Sequence, residues 1–279
     1  MYMIPVRTTN DGLTLPAIGF GTASVKGAEG VHTMTSAIDA GYRLIDSAFN
    51  YENEGAVGAA VKRSSVSREQ LRITSKLPGR HHEYKKAIMA IQESLLRADL
   101  DYYDLYLVHW PNPKQELFVE AWQALIDAKK WGLIRSIGVS NFLPEHIERL
   151  IDETGVTPSV NQVELHPYFS QEQQRSFDQQ HGIITESWSP LGRASQVLED
   201  RSIQTIADTH NKTISQIILR WHIQLGALPL PKASSIGRQL ENLAVFDFEL
   251  TEQDMVTISI LTKTDGRIQD QDPAEYEEF

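Results

Sequence analysis

Short apolar runs alternate with longer stretches whose apolar residues recur at helical spacing, and the alternation persists along the chain. Eight of the runs, residues 18–22, 42–46, 71–76, 103–109, 134–141, 159–164, 183–188 and 227–232, read as strands. Most are apolar almost without interruption, the mark of parallel strands covered on both faces. The stretches between them have a period near 3.6 residues. Ile88, Ile91, Leu95 and Ala98 share one helical face, as do Leu117, Ala121, Leu125 and Ala128, with Gly132 near the stop. Pro144 suits the first turn of a helix that buries Ile147, Leu150 and Ile151. Ile214, Ile217, Ile218 and Trp221 mark a further helix. Ahead of the first parallel strand, residues 4–9 and 13–17 flank Asn10-Asp11-Gly12, and Asp-Gly is hairpin-turn chemistry.

Strand–helix alternation without a Pro/Gly-rich linker predicts one α/β domain over residues 1–279. The expected form is a (β/α)8 TIM barrel with an N-terminal β-hairpin at 1–17 and a C-terminal tail at 262–279. Such a barrel needs roughly 250 residues. A doubly wound open sheet is the alternative, but Gly19-Phe20-Gly21 lacks the third glycine and the register of the G-x-G-x-x-G fingerprint.

Composition narrows the function. The formal net charge is -11 and no basic stripe appears, so a nucleic-acid partner is not expected. With no cysteine, disulfides, thiolate catalysis and thiolate-held metals are excluded. The nine histidines show no spacing that converges with carboxylates, and no metal site is expected. No apolar run reaches signal-peptide or membrane-span length, which predicts a soluble cytoplasmic protein without a membrane partner. No heptad or interface run stands out, and a monomer is expected. The polar segment 269–279, with Tyr276 and Phe279 embedded, reads first as a solvated tail and second as a flap over a substrate.

Barrel chemistry sits at the C-terminal ends of the strands. Those ends carry Asp46, Lys76, His109, Ser140-Asn141, Gln162 with Glu164, Trp188-Ser189 and Lys232. One polar residue at a strand end is ordinary; seven ends in a row at one rim point to a site.

These segments carry a resemblance. Asp46-Ser47-Ala48-Phe49-Asn50-Tyr51-Glu52-Asn53-Glu54, Ser75-Lys76 and Leu105-Tyr106-Leu107-Val108-His109-Trp110-Pro111 resemble signatures of the aldo-keto reductases. So do Ile137-Gly138-Val139-Ser140-Asn141-Phe142, Asn161-Gln162-Val163-Glu164 and Leu230-Pro231-Lys232. Within that family the chain resembles the short bacterial 2,5-diketo-gluconate reductases, because the segment after His109 is short and Trp188 stands where many relatives have Tyr. The resemblance implies NADPH-dependent reduction of a small-molecule aldehyde or ketone. No protein side chain can give hydride, so a nicotinamide must supply it.

By the same resemblance Tyr51 is the general acid, Lys76 its partner, Asp46 the anchor of Lys76, and His109 the donor that orients the substrate carbonyl. An ammonium beside Tyr51 is expected to lower the phenol's pKa from about 10. The resemblance assigns Ser140, Asn141 and Gln162 to the nicotinamide carboxamide and Trp188 to ring stacking. It places residues 189–193 in a loop over the pyrophosphate, with Ser189, Leu191 and Gly192 as cofactor residues and Gly21 and Thr22 completing the set. Lys232, Ser234 and Arg238 are implied to clamp the 2′-phosphate of NADP, and Glu241 and Asn242 to meet adenine. Ala233 departs from the usual Ser after the phosphate lysine, which would soften the preference for NADPH over NADH. Phe49 and Trp110 are expected to wall a substrate pocket with an open mouth. The alternative function is a nucleotide-binding regulatory barrel with little turnover. A hydrolytic barrel would need a second acid, for which Glu164 is the one candidate.

Overall fold

The computed structural model describes residues 4–194, 196–264, 266–269 and 271–279. Residues 1–3 of the hairpin span, and 265 and 270 of the tail span, lie outside it. The Asp-Gly turn folds as expected: β1 (Val6–Thr8) pairs antiparallel with β2 (Thr14–Pro16), with Gly12 at φ 93° between them. Polar ties hold this hairpin to the barrel's lower end, among them Ser136 Oγ donating to Asp11 Oδ1 at 3.0 Å, Asn10 Nδ2 to the Pro158 carbonyl at 2.9 Å and Arg72 Nε to the Thr14 carbonyl at 2.8 Å. Leu15 is fully buried there with Leu44, Leu105, Leu107, Val160 and Leu228. A leucine so buried contributes roughly 1.5–3 kcal/mol, which makes the hairpin a plug rather than an appendage.

Then strand and helix alternate. β3 (Phe20–Gly21) leads through α1 (Gly27–Ala40) to β4 (Leu44–Asp46), and α2 (Glu54–Arg63) to β5 (Arg72–Leu77). α3 (Tyr84–Ala98) precedes β6 (Tyr103–Val108), and α4 (Phe118–Lys130) precedes β7 (Ile134–Ser140). α5 (Pro144–Thr154), β8 (Val160–Glu164), α6 (Glu172–Gln180) and β9 (Ile184–Trp188) continue the pattern. Two helices, α7 (Arg201–His210) and α8 (Ile214–Gln224), precede β10 (Leu228–Pro229), and α9 (Ile236–Leu243) and α10 (Glu252–Ser259) follow it. The predicted helical faces are the buried ones. α4 buries Ala121, Leu125 and Ala128 with Trp122 between them, although Leu117 caps the helix instead of joining it. In α5 Ile147 and Leu150 are buried and Ile151 half-buried. No helix among the described residues is long and apolar enough to cross a membrane.

The eight strands β3 to β10 pair in parallel in chain order. Closure between first and last comes from two bonds: Gly19 N–H donates to the Pro229 carbonyl at 3.0 Å and Gly21 N–H to the Pro231 carbonyl at 3.1 Å. Pro229 and Pro231 have no N–H to return. The regular ladder is therefore short at this seam, and β3 and β10 are briefer than the expected 18–22 and 227–232. Glycine permits the approach. A Cβ on Gly21 would stand 2.7 Å from the Leu230 carbonyl oxygen, and one on Gly19 2.6 Å from a Leu230 methyl. These bonds close the sheet into a barrel and exclude the doubly wound alternative.

Candidate active site

Asp46 ends β4, and Lys76 lies one strand over on β5, where Asp46 is in register with Thr74. The Lys76 ammonium is fully buried, 2.8 Å from both Asp46 carboxylate oxygens and 2.8 Å from the Ser47 carbonyl. Burial works against its charge, but Asp46 and then Tyr51 outweigh burial and hold its pKa above the ordinary lysine value. Tyr51 stands on the short 3-10 turn Phe49–Tyr51 that follows β4, closed by Glu52 in the left-handed region at φ 53°. Lys76 Nζ is 5.0 Å from its ring centroid. The expectation for Tyr51 needs correcting: Lys76 pulls its pKa down, but burial is the larger effect and the net shift is upward. The phenol keeps its proton at neutral pH.

Behind this pair lies an acid that the sequence analysis did not single out. Gln162 Nε2 donates to Asp46 Oδ1 and to Glu186 Oε2, both at 2.9 Å. Glu186, in the middle of β9, is fully buried; desolvation, then the charge of Asp46, pushes its pKa up to about 8. It is a neutral carboxylic acid at pH 7. The available signal was a glutamate inside an otherwise buried strand, which demands a partner. Glu164, the expected second acid, is engaged elsewhere: His166 Nε2 is 3.0 Å away and the Ile268 N–H donates to it at 2.6 Å.

His109 follows β6 and meets Tyr51 edge to face, ring centroids 5.9 Å apart. Its Nδ1 lies 2.7 Å from Glu278 Oε1. The approach is oblique, a close polar contact rather than a straight hydrogen bond. The end of the chain is thus no solvated tail. Asn50 Nδ2 donates to Glu278 Oε1 at 2.7 Å and Gly79 N–H to Oε2 at 3.1 Å. Asn112 brackets the Glu278 backbone, donating to its carbonyl at 2.8 Å and accepting its N–H at 3.1 Å. Burial pushes the Glu278 carboxyl up, but His109, the Gly79 amide and Asn50 hold it below the usual range, so it is a carboxylate. Tyr276 lies against Trp110, centroids 4.5 Å apart, which narrows a mouth expected to be open.

A cleft of about 960 Å³ runs from Tyr51, His109 and Trp110 past Asn141, Gln162 and Trp188 to Lys232, Arg238, Glu241 and Asn242. Its walls are set by local bonds. Asn141, at φ 62°, donates to the His109 carbonyl at 3.1 Å and to Ser140 Oγ at 3.0 Å, and accepts Trp188 Nε1–H at 2.7 Å. Ser140 donates to the Gln162 carbonyl at 2.8 Å and stays behind the wall. Gly21, Ser189 and Leu191 line the cleft. Lys232 Nζ bonds Ser24 Oγ at 2.8 Å across the seam, and Arg193 lies 5.7 Å from the Trp188 ring. Arg193, the end of the expected pyrophosphate loop, borders the cleft, and so does Ser24, which was not expected there.

Besides Lys76 and Ser140, which lie behind the wall, four expected residues stand outside that lining. Thr22 is fully buried and donates to the Asp46 carbonyl at 2.8 Å, so it braces the end of β4. Gly192, at φ 62°, turns the loop without facing the cleft, and Ser234 is exposed beyond it. Phe49 is no pocket wall: its ring packs against His81 at 5.4 Å and under the Arg97 guanidinium at 4.0 Å.

The Aldo/keto reductase family model matches residues 17–263. The chain belongs to the aldo/keto reductase family. This reductase is 50% identical over 279 residues to the 2,5-diketo-D-gluconic acid reductase B of a Corynebacterium species, covering 100% of both chains. It is 43% identical over 267 residues to the methylglyoxal reductase DkgA of Escherichia coli, covering 95% of this chain and 96% of that one. Among solved structures, a mutant of Gox0644 in complex with NADPH superposes with a TM-score of 0.94 at 40% identity, covering 99% of this chain and 100% of the other. A Bombyx mori aldo-keto reductase in complex with NADP does so with 0.90 at 33%, covering 100% and 99%. In this aldo/keto reductase the donor set suits a phosphorylated dinucleotide. Two cations lie at one end of the cleft, a flat half-buried indole in the middle, and Gln162 Oε1 accepts no hydrogen bond from the described residues.

Proposed function

We propose that this reductase reduces small aldehydes and ketones to alcohols with NADPH, using Tyr51 as the general acid. The observation that carries the reading is the buried ammonium of Lys76, chelated by Asp46 and facing Tyr51, at one end of a cleft whose other end holds Lys232 and Arg238. When bound, NADPH supplies hydride to the carbonyl carbon. Lys232 and Arg238 would hold its 2′-phosphate, Glu241 and Asn242 the adenine, Asn141 and Gln162 the carboxamide, and Trp188 the nicotinamide face. Tyr51 retains its proton at rest and gives it to the carbonyl oxygen. Lys76 stabilises the phenolate left behind, so the charge develops beside a cation already in place. Asp46, held by Gln162 as well, fixes that cation. His109 donates to the same oxygen and sets its direction. The completeness of this set weighs against a regulatory barrel.

The substrate class follows from where the charges lie. Among the described residues lining the cleft, Arg193, Lys232 and Arg238 are all on the cofactor side, while the Tyr51 side carries the Glu278 carboxylate. That supports small dicarbonyls, as in the methylglyoxal reductases, and keto-sugars whose carboxylate lies away from the reacting carbonyl. The same reading takes the chain as one domain acting as a cytoplasmic monomer with no nucleic-acid partner. Its exposed large apolar residues, such as Met89, Trp131 and Ile260, are scattered over different elements. Two measurements test the proposal. NADPH oxidation is followed with a panel of aldehydes, dicarbonyls and keto acids. Tyr51→Phe is expected to lower kcat by about 10²–10⁴-fold with NADPH affinity kept. Wild-type turnover in that variant, with chemistry limiting, removes Tyr51 from the acid role.

A further inference from the structure

The C-terminal segment reaches into the catalytic cluster, and its contacts are too specific for a passive cover. Two donors, Gly79 N–H and Asn50 Nδ2, converge on one carboxylate that also meets His109 at Nδ1. Arg80 bonds Asn50 Oδ1, which turns the Asn50 amide so that its nitrogen faces Glu278. Asn112 clasps the Glu278 backbone by both its N–H and its carbonyl. The receiving surface is shaped for this. A Cβ at Gly79 would lie 2.4 Å from the Glu278 carbonyl oxygen and 2.2 Å from Asn112 Nδ2, so no larger residue fits under the docked segment. Glu278 is 7% exposed, and it borders the same cleft as Tyr51 and His109.

A single imidazole has two nitrogens, and what one meets decides what the other can do. A carboxylate 2.7 Å from Nδ1 fixes the plane of the ring and with it the direction in which Nε2 points. The His109 ring lines the cleft beside Tyr51. We propose that Glu278 is a positioning residue for the reduction: delivered by the C-terminal segment, its carboxylate holds the His109 ring at Nδ1 and keeps Nε2 turned to the substrate. It touches neither substrate nor hydride and acts through the imidazole alone. The contact is oblique in the free enzyme, and catalytic hydrogen bonds that are loose at rest tighten with substrate bound. The segment therefore supplies a charge to the site as well as a wall, and Tyr276 on Trp110 is its second anchor.

The proposal rests on His109 meeting the substrate oxygen. If His109→Ala leaves kcat unchanged, that reading falls and this one with it. Given a loss there, Glu278→Gln is decisive, because it keeps the shape and removes the charge. Its kcat on a simple aldehyde is expected to fall roughly tenfold or more, with NADPH affinity by fluorescence titration and the thermal midpoint both close to wild type. The ¹⁵N resonances of the His109 ring are expected to change while those of the other imidazoles stay. Gly79→Ala, which alters no reacting group but forces the segment off its seat, is expected to reproduce the kcat loss. Wild-type kcat in either variant overturns the proposal. So does a loss in Glu278→Gln that falls equally on kcat, cofactor affinity and stability, since that marks a merely structural strap.

Discussion

At the scale of single residues, Arg238 is the most informative. Its guanidinium lines the cleft, is exposed, and forms no ion pair among the described residues, although the chain carries a net charge of -11. Lys232, by contrast, is already tied to Ser24. A charge-assisted hydrogen bond contributes roughly 1.5–3 kcal/mol. Arg238→Ala is therefore expected to raise the NADPH dissociation constant about 10- to 100-fold, with NADH much less affected and the difference shrinking at high salt. Fluorescence titration of both cofactors checks it; equal weakening would assign Arg238 to the adenosine pocket at large. Strand ends fix where a residue emerges, which is why spacing alone brought most of the proposed catalytic and cofactor residues to one cleft. Phe49 and Thr22 were misread because they sit where the chain turns, and spacing does not say which way a side chain goes in a turn. Glu278 was not legible at all. It is one acid among several in a polar stretch, and its meaning comes from Asn50, Gly79 and Asn112, far away in the chain.

At the scale of elements, the hydrophobic period placed the strands and helices, and the residues it could not place were the seam's. Proline in β10 and glycine in β3 shorten the regular pairing while the backbones still approach closely. Gly21→Ala puts a methyl 2.7 Å from the Leu230 carbonyl, a backbone atom that cannot rotate away. Overpacking of this kind costs roughly 1–3 kcal/mol, or a fall in Tm of about 2–10 °C for a domain of this size. NADPH binding is expected to weaken in parallel, because Gly21 and Leu230 both edge the cleft. Differential scanning calorimetry beside a cofactor titration measures both; an unchanged Tm would mean that the seam has room to spare.

At the scale of the whole molecule, buried titratable groups shape stability against pH. Glu186, with a folded-state pKa of about 8 against an unfolded value near 4.5, keeps a proton that the unfolded chain has lost between those limits. Its contribution to stability is fully present below about pH 4.5 and is lost as pH rises towards 8. His82 and His222 act in the opposite sense. Both are buried with pKa near 4, so the stability they contribute is present above about pH 6.5 and lost as pH falls through 4. Glu186→Gln is expected to match wild type near pH 5 and to be more stable by about 1–3 kcal/mol near pH 8.5. Thermal unfolding at the two pH values decides it, and a gap that does not widen with pH would show that Glu186 ionises freely in the folded state. The seam has a consequence in time as well. β3 and β10 lie more than half the chain apart, and contacts of such long separation form late because loop closure precedes any reward. Lys232 and Ser24 meet only across that junction. If Lys232 and Arg238 hold the 2′-phosphate as proposed, the phosphate end of the groove is complete only once the barrel closes, so recovery of NADPH binding after denaturation is expected to lag behind recovery of secondary structure and to serve as a clock for closure.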